Sequence, residues 1–243
     1  GRRGAQRAKE VGYKVQGRCA DRMVVKAPAA MKVAFGENPK VNYGEKDAMP
    51  ASRMAVAAML REELYKACRY MEKKERGNIS EGEEDLRMEC WIPVLRREIP
   101  LKAHVHRADD ILTAIRIARE FDLKMTLDHC TEGHLIAEEI AESGFPVIVG
   151  PDLTSRSKIE IKNMSFKTAG VLSRAGIKVA IMTDHPVSLI RYLPLCAGLC
   201  VKQGLPMEEG WKAITIHAAE ICGVSNRVGS LEPGLKAMKP LIH

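Results

Sequence analysis

The sequence predicts an α/β protein built on a parallel sheet. Two observations carry this: from residue 97 onward short apolar strands alternate with amphipathic helices, and three of those strands end in side chains of metal-ligand type. The composition agrees, with 46% hydrophobic and 28% charged residues over 243 positions, enough for one large domain or two small ones with a sizeable core. Aromatic residues make up only 5%, so that core has to be aliphatic and rich in Met.

The elements follow in order. Residues 1–30 carry many charges and no clear period, and are expected to form an irregular N-terminal segment. Met31 to Phe35 suits a short strand, closed by the turn Gly36-Glu37-Asn38-Pro39. A loop is expected over 39–49, then a helix from Ser52 to about Lys74, with Met54, Ala58, Leu64, Ala67, Cys68 and Met71 largely at helical spacing. Residues 75–85 are polar and read as an exposed excursion. Beyond them the pattern predicts strands at 99–105, 124–127, 145–149 and 177–182, and helices at 108–121, 132–143, 167–175, 186–203 and 207–221.

In parallel βα proteins functional groups gather at the C-terminal ends of strands. Here one strand ends in Lys102-Ala103-His104-Val105-His106, one in Thr126-Leu127-Asp128-His129, and one in Met182-Thr183-Asp184-His185-Pro186. Two imidazoles and a carboxylate on separate strand ends suit one divalent metal such as zinc. A single His at a strand end is more often a hydrogen-bonded core residue; three ordered ligand-type ends weaken that reading.

These segments resemble the amidohydrolase superfamily, its imidazolonepropionase- and prolidase-like members in particular. Residues 99–111 are similar to the fifth-strand segment, Asp128-His129-Cys130-Thr131-Glu132-Gly133 to the sixth, and Thr183-Asp184-His185-Pro186 to the eighth. Residues 214–220 resemble the late helix, and Gly229 to Gly234 the turn returning to a small β-domain. The resemblance implies a partial (β/α)8 TIM-type barrel of roughly the fourth to eighth units over 31–225, with 226–243 a remnant of the β-domain return. It implies His104 and His129 as metal ligands, and Asp184 as a ligand that also takes the proton from the attacking water. Glu37 is the candidate bridging ligand of the fourth strand, its competing reading being a turn residue. His106 and Arg107 are candidates for substrate binding, each equally read as a solvated residue. The activity implied is metal-dependent hydrolysis of C–N bonds in cyclic amide, amide or dipeptide-like small molecules, with one or two divalent ions, zinc foremost. Deamination is less favoured, because no Glu follows His104 within residues 105–110.

The pattern departs from the family at both ends. Its opening His-x-His pair is missing, since no His precedes residue 31, so about three βα units are expected to be absent. After Gly234 the wording changes, which suggests a truncated gene with a shifted frame near residue 235. Such a barrel is expected to leave two parallel sheet edges open and to self-associate through them, and an inactive structural module is the alternative reading.

The net charge of +7, with basic clusters at Arg2, Arg3, Arg7 and Lys9 and at Lys73, Lys74 and Arg76, admits a nucleic-acid-binding reading. No nucleic-acid motif accompanies it, and a solvated surface is the simpler account. No apolar run is long enough to predict a membrane span. Seven Cys without a C-x-x-C pair predict a reducing, cytoplasmic setting, and Cys196 and Cys200, four apart on a helix, predict core packing.

Overall fold

The computed structural model describes residues 7–13, 19, 23–39, 52–80 and 82–233, the stretch 7–13 by its backbone. Six strands lie in one sheet in sequence order: β1 (Arg7–Tyr13), β2 (Val24–Ala34), β3 (Leu101–Val105), β4 (Met125–His129), β5 (Val147–Val149) and β6 (Val179–Ile181). Strands β2 to β6 are mutually parallel and form a curled half-barrel, a partial TIM-type barrel. The register is continuous across β2, β3 and β4: Ala34 pairs with His104, and His104 with Asp128.

The N-terminal segment departs from expectation. Strand β1 runs antiparallel to β2, and β2 begins seven residues before Met31. Pro28 argues against a central strand, because it cannot donate to a ladder. It is accommodated because the β1 register jumps from Glu10↔Ala30 to Gly12↔Lys26, leaving residues 27–29 in a bulge, while pairing with β3 starts only at Met31. This hairpin changes one of the two expected parallel edges: β1 covers the free edge of β2 and becomes the edge in its place. Among the described residues the sheet ends at β1 on one side and at β6, three residues long, on the other.

The helices are α1 (Arg53–Glu75), α2 (Leu86–Glu89), α3 (Ile92–Leu95), α4 (Ala108–Glu120), α5 (Ala137–Ser143), α6 (Lys167–Arg174), α7 (Leu193–Lys202), α8 (Met207–Ala213) and α9 (Ile216–Ile221). Helix α1 starts where expected because the Ser52 hydroxyl accepts the Ala55 N–H. It buries Val56, Leu60, Leu64 and Ala67. Three predicted helices are shorter or split. The 132–143 stretch is a 3-10 turn at Gly133–Leu135 followed by α5, and a Cβ on Gly133 would stand 2.6 Å from the Cys130 sulfur. The 186–203 stretch is a turn and a 3-10 segment (Ile190–Tyr192) before α7, whose first turn holds Pro194, where its missing N–H costs nothing. The 207–221 stretch breaks at Thr215 into α8 and α9. The excursion at 75–85 holds turns, with α2 and α3 after it. Of the loop expected at 39–49, all but Pro39 lies outside the described residues.

The core is aliphatic, with Val33, Leu101, Ala103, Val105, Ile111, Leu127, Val147 and Leu172 among its most buried members. Cys196 and Cys200 are buried within it, and burial pushes the Cys200 thiol up to about 12, the state of a packing residue. None of the seven cysteines forms a disulfide with another described residue. No helix of the described residues is long and apolar enough to cross a membrane.

Candidate metal centre

The site forms at the C-terminal ends of β3 and β4. His104 and His106 share a face because alternate strand residues point the same way. By the same rule His129 falls on the face opposite Asp128, the register partner of His104. The backbone breaks the alternation: His129 (φ 69°) and Cys130 (φ 49°) both take the left-handed conformation, uncommon for residues with a Cβ. The His129 ring thereby comes to rest against the other two. Ring centroids lie 4.7 Å apart for His104 and His106, 4.2 Å for His104 and His129, and 4.6 Å for His106 and His129. One nitrogen from each ring lies within 4.8 Å of the others, and all three rings are buried.

Hydrogen bonds fix the rings. His129 Nδ1 lies 2.7 Å from the Gly150 carbonyl oxygen, which only accepts. The neutral ring therefore carries its proton on Nδ1 and leaves Nε2 as a free donor atom for a cation. His106 Nδ1 is 2.8 Å from the Thr131 hydroxyl. His104 Nε2 is 3.1 Å from Asn38 Nδ2, whose amide orientation is set by the Lys158 ammonium on Asn38 Oδ1. The contacts on His129 and His106 engage one nitrogen and leave the other for a cation, as in metal sites; at His104 the Asn38 N–H occupies Nε2, and a cation bound there would displace it.

The rings are held neutral. Burial lowers all three, His106 to about 2 and His129 to about 4, and nearby Lys158 adds to the effect. For His129 the Gly150 carbonyl works in the opposite direction. Three neutral, buried, convergent imidazoles fit a divalent cation, because metal binding requires unprotonated nitrogen.

A carboxylate stands beside them. Glu160, in the 3-10 turn Ile159–Ile161 after β5, is only 1% exposed. Its Oε1 lies 3.9 Å from His106 Nε2 and 4.0 Å from the Lys158 ammonium, with no hydrogen-bond partner among the described residues. Its Oε2 accepts the Glu37 N–H at 2.8 Å and lies 3.7 Å from Arg53 Nη2. Burial raises its pKa above the ordinary carboxylate value, against the Glu37 N–H, Lys158 and Arg53. Arg53 also binds the buried Asp110 carboxylate at 3.0 Å.

The structure gathers the residues singled out from sequence differently from the expected set. His104 and His129 come together as expected, and His106, expected to face substrate, is the third member of the group. Asp184 is not: it follows β6 by three residues, has φ 49°, and its side chain is exposed in a turn closed by the Val187 N–H on its carbonyl. Glu37 is not either. Its turn reaches His104 through the neighbouring Asn38, and Glu37 itself offers its backbone N–H to Glu160. Arg107 pairs with Asp109 at 2.9 and 3.0 Å at the start of α4. Glu160, Asn38, Thr131 and Gly150 were not singled out. The one sequence signal for Glu160 is an acidic residue flanked by two Ile, and for Gly150 a Gly-Pro closing a strand.

Of the basic clusters, Lys74 pairs with Glu89 at 2.5 Å, Arg2 and Arg3 lie outside the described residues, and Arg7 and Lys9 are described by backbone alone. A separate groove of about 600 Å³ is lined by Asp152, Thr154, Arg156, Met164 and Gln203, and burial raises the Asp152 carboxyl to about 7.

Comparison with known proteins agrees with the half-barrel. A solved amidohydrolase of Thermotoga maritima superposes with a TM-score of 0.88 at 41% identity, covering 92% of this chain and 59% of that one. The amidohydrolase tasK of Hapsidospora irregularis is 23% identical over 85% of this chain and 23% of its own length. An imidazolonepropionase of Cupriavidus necator is 27% identical over 57% of this chain and 33% of its own. The chain thus spans a third or less of these two relatives and three-fifths of the Thermotoga protein. The amidohydrolase family matches residues 14–242, nearly the whole length, and the chain belongs to that family of hydrolases.

Proposed function

We propose that the chain carries the metal-binding half of a hydrolase that cleaves C–N bonds other than ordinary peptide bonds, in cyclic amide, amide or dipeptide-like small molecules. The observation that supports this most is the convergence of three buried, neutral imidazoles at the ends of β3 and β4. His104, His106 and His129 would hold a divalent ion, for which zinc suits an all-imidazole set. When bound, such an ion supplies a water acidified towards neutral pH and polarises a carbonyl. Gly150 and Thr131 hold their rings in fixed orientation, so the donor atoms need little reorganisation. Asp184, from the end of β6, is assigned the proton: it accepts it from the attacking water and returns it to the leaving nitrogen. Arg107 is assigned a substrate carboxylate, exchanging its Asp109 partner for it.

The test is zinc titration of metal-freed protein, with hydrolysis of N-acyl amino acids, cyclic ureides and dipeptides measured alongside. Stoichiometric binding that disappears in His104→Ala and His129→Ala supports the reading. Failure of the wild-type chain to bind zinc at micromolar concentration overturns it. A second reading, a metal-binding but inactive barrel module, is favoured by the exposure of Asp184 outside the imidazole group. Binding without hydrolysis of any of these substrates selects it. Self-association through the open β6 edge is part of the same proposal, and size-exclusion chromatography reads it directly.

A further inference from the structure

We propose that Glu160 is the carboxylate ligand of the imidazole site, so that a divalent cation is held by His104, His106, His129 and Glu160. This rests on the metal-binding reading above and adds to it a donor from the loop after β5. The geometry begins with an orphaned atom. Glu160 is 1% exposed, and among the described residues its Oε1 has no hydrogen-bond partner, a costly state for a buried acceptor and more so when it is charged. That oxygen faces His106 Nε2 across 3.9 Å. The gap is too wide for a hydrogen bond. It is within reach of a shared ion: a nitrogen and an oxygen bound to one tetrahedral zinc at about 2.0–2.2 Å stand about 3.3–3.5 Å apart, so the gap need close by only about half an ångström. His106 is oriented for it, because its other nitrogen is engaged by Thr131.

The second carboxylate oxygen is already fixed, by the Glu37 N–H at 2.8 Å and by Arg53 at 3.7 Å. The carboxylate is therefore anchored by one oxygen and presents the other. The fold also makes room for it. Gly36 has φ 76°, and a Cβ there would stand 2.5 Å from Glu160 Oε2, so the close approach of the turn after β2 requires glycine. Glu160 is not within 4.8 Å of all three ring nitrogens. Binding closes the set by drawing Oε1 and His106 Nε2 together on the cation, and the positive Lys158 and Arg53 hold the carboxylate in place until then. A carboxylate on three imidazoles lowers the net charge of the site from +2 to +1, which favours retention of the ion in a buried setting.

The experiment uses the whole chain. Zinc affinity is measured by calorimetry for wild type and Glu160→Gln, which keeps an acceptor for the Glu37 N–H but removes the charge. The cobalt(II) absorption spectrum of each is recorded in parallel. The proposal expects affinity to fall at least 10-fold and the cobalt spectrum to change. Equal affinity within twofold and an unchanged spectrum overturn it. Should Glu160→Gln fail to fold, anomalous diffraction from wild-type crystals soaked in zinc decides: a peak within about 2.2 Å of a Glu160 oxygen supports the ligand role, and a peak held by the imidazoles alone overturns it. If wild type binds no zinc, the metal-binding reading falls as well. If zinc sits on the imidazoles without Glu160, that reading stands and only this proposal falls.

Discussion

The carbonyl oxygen of Gly150 accepts the Nδ1–H of His129 at 2.7 Å, tying the end of β5 to the ring at the end of β4. Gly150 has φ 114°, and a Cβ there would stand 2.3 Å from the Met182 carbonyl oxygen. Both the backbone conformation and the neighbouring chain therefore exclude a side chain. Gly150→Ala is expected to cost about 2–4 kcal/mol in urea unfolding. It should also weaken zinc binding about 10-fold or more, because His129 loses the contact that sets its tautomer. A variant of wild-type stability and affinity would remove Gly150 from this role.

Much of the site was legible because strand-end chemistry is local. His104 and His129 follow apolar strands directly, and their identity survives small errors in strand boundaries. What could not be read depended on long-range geometry. The partnership of His106 with them follows from the left-handed turn at His129, which no residue type at that position announces. Glu160 arrives from a loop 54 residues beyond His106, its place set by packing against Gly36 and Arg53. The same holds for the fold. Strands β3 to β6 are short apolar runs and stood out, whereas β1 and the first half of β2 form a bulged hairpin whose charges, Gly12 and Pro28 conceal the pairing.

Arg53 offers a stability test. It joins two buried carboxylates, Asp110 at 3.0 Å and Glu160 at 3.7 Å, and is itself about one-quarter exposed. Removing it strands both. Arg53→Ala is expected to lose about 3–5 kcal/mol, and Asp110→Asn in the same background should restore part of that loss. Additive effects in this double-mutant cycle would show that the pair does not interact.

Asp184 and Arg107 separate chemistry from architecture. Asp184 is exposed, so Asp184→Asn should leave unfolding free energy within about 0.5 kcal/mol of wild type. If it moves the proton, turnover falls about 100- to 10,000-fold while zinc stoichiometry is kept. Arg107→Ala should likewise leave stability nearly unchanged, since exposed pairs such as Arg107–Asp109 contribute about 1 kcal/mol or less. If Arg107 binds a substrate carboxylate, its loss raises KM. Loss of zinc in Asp184→Asn, or an unaltered KM in Arg107→Ala, contradicts these assignments.

The imidazoles make stability depend on pH in a calculable sense. Burial holds His106 at about 2 and His129 at about 4 in the folded protein, below the roughly 6.5 of an unfolded chain. As pH falls below about 6.5 the unfolded state takes up protons that the folded state refuses, so the rings' contribution is whole above that pH and is lost on acidification. Each ring steepens the loss by about 1.4 kcal/mol per pH unit. Asp152, raised by burial to about 7, acts in the opposite sense between its unfolded value near 4 and pH 7, as do the raised carboxyls of Asp110 and Glu160. The clean measurement is therefore a difference. Urea unfolding of metal-free wild type and His106→Gln between pH 6 and pH 4 should show the variant losing stability less steeply, by about 1.4 kcal/mol per pH unit. Parallel pH profiles for the two would mean that His106 titrates as an ordinary imidazole, and the neutral, preorganised ring on which metal binding depends would be lost with it.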